Sequence, residues 1–317
     1  MRKFVLPALV AAASLGMYAC GGDDGGGGAA EAPSQTTTAA TFPVTLEGAS
    51  GKALTITSRP ERIVSLSPTA TEMLYAIGAG DQVEAVDDQS NFPPQAPRTK
   101  LSGFQPNVEA IAGYRPDLVL LSNDEQDVVA GLDRLSIPAL LLPAAQKLDD
   151  TYGQIELVGK ATGHRSEAMA TVTKMKADID AIVAGIPERA AAPTYYHELD
   201  DTLFSVTSQT FIGQIYSLVG LKNIADKADK EGGGYPQLSP EYLVKADPDL
   251  IFLADTKCCG QSAQTLAKRS GFANLAAVKN GTVIPLDDDI ASRWGPRVVD
   301  FLRIVAAAVA KAPTTSE

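Results

Sequence analysis

Residues 109–121 read Glu109-Ala-Ile-Ala-Gly-Tyr-Arg-Pro116-Asp117-Leu118-Val119-Leu120-Leu121, and residues 241–253 read Glu241-Tyr-Leu-Val-Lys-Ala-Asp-Pro248-Asp249-Leu250-Ile251-Phe252-Leu253. Both stretches hold a glutamate, six intervening residues, Pro-Asp-Leu, a β-branched residue and an apolar run. A helix tends to stop ahead of proline, whose ring disfavours helical geometry in the residue before it. An apolar run without polar alternation suits a strand covered on both faces. The repeat therefore predicts an α/β chain of two similar Rossmann-like lobes with mainly parallel sheets and a cleft between them. An apolar interior does not require a glutamate at the same offset in each copy. Two matched acidic points suit docking onto a partner with two-fold symmetry.

Working outward from the first copy, Arg62–Leu66 reads as a buried strand. Ser67-Pro68-Thr69 then opens a helix, with proline at its first position and Glu72 three residues after Thr69 in a capping arrangement. Strands over 83–86, 118–121 and 139–142, with helices over 108–114 and 128–135, complete a lobe over residues 42–149. That lobe begins with a hairpin over 42–58, around Gly48 and Gly51. Around the second copy, strands over 194–199, 203–206, 250–253 and 283–286 alternate with helices over 211–219, after Gln261 and over 298–311. They form a second lobe over residues 191–312. Residues 150–190 between the lobes are helical, because Ala168, Val172, Met175, Ile179, Ile182 and Ile186 recur at spacings of three and four. From His164 onward this helix is about 30 Å long, enough to join the lobes as a single connector. His164 sits in a polar Thr-Gly-His-Arg break and is expected at the surface.

The chain has 317 residues, is 45% hydrophobic and carries a formal net charge of −11. That balance argues against nucleic acid and against an anionic membrane surface as partners. Residues 1–20 read as a signal peptide, with Arg2-Lys3 ahead of an apolar Phe4–Ala19 segment too short for a comfortable membrane span. The ending Met17-Tyr18-Ala19-Cys20 resembles a lipobox, which makes Cys20 the expected lipidation site; ordinary cleavage is the alternative. Residues 21–41, rich in Gly, Ala, Ser and Thr, read as a flexible tether. The protein is thus expected on the extracytoplasmic face of the cell membrane, lipid-anchored, in an oxidising compartment.

Ligands of open parallel sheets sit beyond the carboxyl ends of the strands. In the first lobe that nominates the loops at 68–69, 87–92, 103–105 and 123–124. In the second it nominates those at 197–201, 233–235, 255–259 and 287–293. Phe92, Phe104, Tyr196 and Tyr235 fall in or beside them and suggest an aromatic-lined cleft. The run Asp287-Asp288-Asp289 is a cation site or a solvated turn with a helix cap. Arg293, four residues after Asp289, can pair with it on one helical face or join it in gripping a polar ligand. Cys258-Cys259 is a vicinal disulfide, a reduced pair or a soft-metal site, the last wanting more Cys or His nearby. His197-Glu198 is an acid–base pair or a cleft-lining or edge histidine with its neighbour. The chain has no Gly-x-Ser-x-Gly, no P-loop and no Gly-x-Gly-x-x-Gly after a strand. It therefore reads as a non-catalytic binding protein with no cofactor and no metal of its own. The alternative is an extracytoplasmic hydrolase or redox protein using His197 and Glu198, or Cys258 and Cys259.

Six stretches carry a family resemblance: Arg62-Ile-Val-Ser-Leu-Ser-Pro-Thr-Ala-Thr-Glu72, Asn91-Phe-Pro-Pro94, Asn107-Val-Glu-Ala-Ile111, Arg115-Pro-Asp-Leu118, Tyr235-Pro-Gln-Leu-Ser239 and Arg293-Trp-Gly-Pro-Arg297. Over about residues 60–310 the chain resembles the solute-binding component of bacterial ABC importers. It is most like the cobalamin and ferric-siderophore binding proteins, in which one long helix joins two lobes. The resemblance implies a monomer that delivers a metal chelate, a corrinoid or a ferric siderophore, to a permease dimer with its ATPase. It implies that Glu109 and Glu241 meet permease arginines. It further implies that Phe92, Phe104 and Tyr235 line the cleft and that Asp289 and Arg293 form a polar pair at the ligand's edge. Glu198 stands where the family pattern has an aromatic. With Asp200, Asp201 and residues 287–289 it predicts an acidic cleft, better suited to a neutral or cationic chelate than to an anionic one.

Overall fold

The computed structural model describes residues 41–47, 51 and 53–312. The expected signal segment, Cys20, Gly48 and nearly all of the tether lie outside the described residues. Strands β1 (Val44–Glu47) and β2 (Ala53–Ile56) pair antiparallel. The first lobe continues through β3 (Ile63–Leu66), α1 (Pro68–Ala76), β4 (Val83–Val86), α2 (Val108–Ala112), β5 (Leu118–Leu121), α3 (Val128–Arg134) and β6 (Ala139–Leu141). Helices α4 (Leu148–Thr162) and α5 (Arg165–Ala184) follow. The second lobe opens with β7 (Thr194–Glu198), α6 (Phe211–Leu218), β8 (Lys222–Asn223), α7 (Pro240–Ala246) and β9 (Leu250–Leu253). It closes with α8 (Ala263–Ala267), α9 (Ala276–Lys279), β10 (Val283–Pro285), α10 (Asp288–Ser292) and α11 (Val298–Lys311).

Both four-stranded sheets are parallel, in the orders β4-β3-β5-β6 and β10-β9-β7-β8. Counted within each lobe, both read second, first, third, fourth strand. The repeated Pro-Asp pair serves that arrangement. Asp117 accepts the backbone N–H groups of Glu61 (2.8 Å) and Arg62 (3.0 Å) just ahead of β3. Asp249 accepts the N–H (2.7 Å) and hydroxyl (2.8 Å) of Thr194 at the start of β7. Each aspartate ties the entry of the third strand to the entry of the first.

Alternation along the strands sets the layers. Leu118 and Leu120 of β5, Tyr195 of β7, and Leu250 and Phe252 of β9 join one apolar core shared by both lobes and by α4, α5 and α11. Val119 and Leu121 face a core of the first lobe alone; Tyr196, Ile251 and Leu253 face one of the second lobe alone. Each sheet is thus covered on both faces, which is why the central strands β5 and β9 are apolar without interruption.

Three local expectations change. The connector is two helices, broken at Gly163, whose φ of +83° suits glycine. There the His164 N–H closes onto the Gly159 carbonyl at 2.8 Å, and α5 alone, about 30 Å long, carries the buried stripe Ala168, Val172, Met175 and Ile179. His164 is half-buried, not exposed: its Nε2 meets Arg59 at 2.9 Å and Gln82 at 3.1 Å. Burial, and then the Arg59 charge, hold its pKa below the ordinary value. Residues 203–206 form no strand, because Leu203 takes a φ of +71° in a turn closed onto Asp200.

Candidate functional site

The carboxyl ends of β3, β4 and β5 face the 289–294 segment of the second lobe across a cavity of about 500 Å³. From the first lobe come Ser67, Pro68 and Thr69 at the start of α1, Asp87 and Gln89 after β4, Gly103 and Phe104, and Ser122 and Asn123 after β5. Asp289, Ser292, Arg293 and Trp294 close the other side. Gly103 is held to glycine by close approach. A Cβ there would lie 2.5 Å from the Leu66 carbonyl oxygen and 3.0 Å from Asp87 Oδ2. A second cavity of about 350 Å³ shares Ala144, Ser292 and Trp294 with the first and is bounded by Thr210, Phe211, Gly232–Gly234 and Tyr235.

Charged side chains stitch the lobes together beside the main cavity. Glu72, read in the sequence as a capping residue, is buried inside α1's first turns, and Ser67 caps the helix instead, accepting the Ala70 N–H at 3.3 Å. The Glu72 carboxylate accepts from Arg293 (2.9 Å) and from Arg297 (2.9 Å from Nε). Arg293 also donates to Asp289 (2.7 Å), to Asn91 (3.0 Å) and to the Gln89 carbonyl (3.0 Å). Asn91 donates in turn to Asp289 at 2.9 Å. Burial pushes the Asp289 carboxyl up, but bonds from Lys257 and Asn91 and the Arg293 charge outweigh it and hold the pKa below its ordinary value.

The nominated residues divide between the two cavities and the interior. Phe104 stands at the mouth of the main cavity, 73% exposed, and Tyr235 borders the second. Asp289 and Arg293 line the main cavity. Phe92 lines neither; it lies under the Arg297 guanidinium, 4.2 Å from ring centroid to cation. Tyr196, His197 and Glu198 require a correction. Strand β7 runs through Glu198, so all three are at 0% exposure inside a central strand, not in a cleft loop. Arg269 grips both oxygens of Glu198 at 2.7 Å, and the Tyr196 hydroxyl donates to it at 3.3 Å. Asp255, also at 0% exposure, is pushed up to about 7 by burial and then by the neighbouring Glu198 charge. Burial drives His197 down to about 3, a neutral imidazole whose Nδ1 meets the Tyr216 hydroxyl at 2.8 Å. An imidazole so placed reaches no cleft ligand, which removes the acid–base reading of His197 and Glu198.

The aspartate run is used internally. Asp287 caps α10, and Asp288 accepts the backbone N–H groups of Thr256, Lys257 and Cys258. Asp287 and Asp289 share Lys257 at 2.7 Å each. Cys258 and Cys259 form a disulfide between adjacent residues in that exposed loop. Among the described residues no group of three His, Cys, Asp or Glu side chains is placed to hold a metal ion. Glu109 and Glu241 are both exposed, one residue inside the starts of α2 and α7, whose caps are Asn107 and Ser239. Trp294, Ser122 and Ala144 line the main cavity outside every loop nominated from the sequence, whereas Asp87 opens the nominated 87–92 loop.

Comparison with known proteins adds the lineage. A model of the periplasmic binding protein family matches residues 63–290. The uncharacterized ABC transporter substrate-binding lipoprotein YvrC of Bacillus subtilis is 31% identical over 277 residues, 84% of this chain and 86% of its own. A cobalamin-binding protein of Halobacterium salinarum is 32% identical over 278 residues, 85% of this chain and 75% of its own. Among solved structures, the vitamin B12 binding protein BtuF of Vibrio cholerae superposes with a TM-score of 0.63 at 25% identity, covering 79% of this chain and 97% of its own. The heme-binding protein RhuT of Roseiflexus gives a TM-score of 0.69 at 24% identity, covering 78% and 97%.

Proposed function

The chain belongs to the periplasmic binding protein family, and on that premise we propose that it is a lipid-anchored, monomeric solute-binding protein. It captures a metal chelate, a corrinoid or a ferric siderophore, between its lobes and hands it to an ABC importer permease without chemical change. The observation that carries this reading is the main cavity, walled by strand ends of one lobe and by residues 289–294 of the other. Exposed aromatics at the two cavities, Phe104 from the first lobe and Tyr235 from the second, suit a broad, partly apolar ligand. The corrinoid option is supported by relatives described as cobalamin-binding and vitamin B12-binding. Cys20 is the proposed anchor.

Delivery falls to Glu109 and Glu241. They occupy the same place in the two copies of the fold, on the helix that leads into the third strand. Their side chains are exposed, and the Pro-Asp aspartate of each copy is committed to the strand clamp, so these are the two matched carboxylates on the surface that a partner can reach. Two like charges in equivalent positions match a permease dimer with one arginine site per subunit. The test is the double variant Glu109→Arg, Glu241→Arg. Chelate affinity is expected to stay at the wild-type value while uptake in cells is lost. Uptake at the wild-type rate would overturn the docking role.

A further inference from the structure

We propose that Asp87 is the specificity-determining acceptor of the main cavity and that the ligand it admits is an uncharged or cationic chelate bearing N–H or O–H donors. This rests on the solute-binding reading and narrows its ligand class. Asp87 follows β4, is 2% exposed and lines the cavity. Its Oδ1 meets no hydrogen-bond donor among the described residues. A buried carboxyl oxygen without a donor is costly, and buried polar atoms left so are uncommon. The position is explained if the missing donor arrives with the ligand. Burial is also the largest influence on this carboxyl and pushes it above its ordinary value, against hydrogen bonds from Ser90 and the Arg293 charge that pull the other way.

The cations nearby cannot serve an anionic ligand. Arg293, the one cationic side chain among the described residues lining the cavity, is held by Glu72 and Asp289. Arg297 is held by Glu72, and Lys257 by Asp287 and Asp289. The start of α1 lies on the same wall, but a helix N-terminus offers about half an elementary charge, less than the full charge of an ionised Asp87. An anionic chelate would therefore bring like charge against Asp87 with no free counter-ion. An amide or ammonium N–H would instead complete Oδ1.

Calorimetric titration of the full chain with neutral cyanocobalamin, cationic ferrioxamine B and trianionic ferric enterobactin, at one ionic strength, tests this. One of the first two is expected to bind, and the trianion about 100-fold more weakly. Asp87→Asn, which keeps the side chain's shape, should weaken the preferred chelate about tenfold and narrow the gap to the trianion. Preference of the wild-type chain for the trianion, or unchanged affinities in the Asn variant, overturns the proposal while leaving a chelate-binding protein. Binding of none of the three overturns the solute-binding reading and this proposal with it.

Discussion

The two sheets share one strand order and one aspartate clamp, yet their carboxyl ends do opposite things. After β3, β4 and β5 stand Ser67, Asp87 and Ser122, which open onto the main cavity. At the ends of β7 and β9 stand Glu198 and Asp255, both sealed at 0% exposure beneath Arg269 and the loop that follows β9. The duplicated fold supplies a duplicated scaffold, but only the first lobe's strand ends open onto the main cavity.

Removing that arginine should have the largest effect. Arg269→Met leaves Glu198 buried without its cation and should cost about 3–5 kcal/mol in urea unfolding. The matching change in the first lobe, Asp87→Asn, should cost about 1 kcal/mol or less, because that carboxyl lacks a full set of partners. Equal losses at the two positions would break the contrast. Glu72→Gln comes next, at about 3 kcal/mol. It strips Arg297 of its carboxylate, while Arg293 keeps Asp289. Thermal unfolding that is unchanged in this variant would show that the ionic stitch between the lobes contributes nothing.

The clamps test the likeness, not the difference. Asp117→Ala and Asp249→Ala should each cost about 2 kcal/mol, since each removes two hydrogen bonds to a charged group. A gap between them of more than about 1 kcal/mol would mean that the two copies are not energetically equivalent.

The subtlest test is of pH. Asp255 is raised from 3.8 to about 7, so folding favours its protonated form. Its contribution is fully present below about pH 4 and is lost as pH rises toward 7. His197, lowered from 6.5 to about 3, acts in the opposite sense: its contribution is present above pH 6.5 and is lost as pH falls toward 3. The wild-type profile mixes the two, so the informative quantity is the difference from Asp255→Asn. Relative to that variant, the wild-type chain should lose stability steadily between pH 4 and 7. A flat difference would contradict the assignment.

Much of the scaffold was legible because its signals are local. The Pro-Asp-Leu repeat marks the third strand of each lobe, and α11 spans the residues 298–311 expected of it. The strand-end rule found the loops of the main cavity in the first lobe. It misplaced Tyr196, His197 and Glu198 because the loop nominated at 197–201 overlapped the strand expected over 194–199, and β7 keeps all three inside the sheet. Glu72 has capping spacing, and its true partners lie more than 200 residues away, where no window along the chain can reach. The largely apolar run at 203–206 resembles a strand, but Leu203's left-handed turn intervenes. Trp294 sat inside a recognised stretch and was passed over because a lone tryptophan carries no spacing.

That tryptophan offers the most direct test of the central claim, that the ligand lies between the lobes. Trp294 is the only tryptophan in the chain, and it lines both cavities, with its indole N–H donated to Gln154 at 3.1 Å. Titration of the full chain with whichever of cyanocobalamin and ferrioxamine B binds, followed by tryptophan emission and by calorimetry in parallel, should show saturable quenching with the same midpoint as the heat. Heat of binding without any change in emission would place the ligand elsewhere and contradict the account.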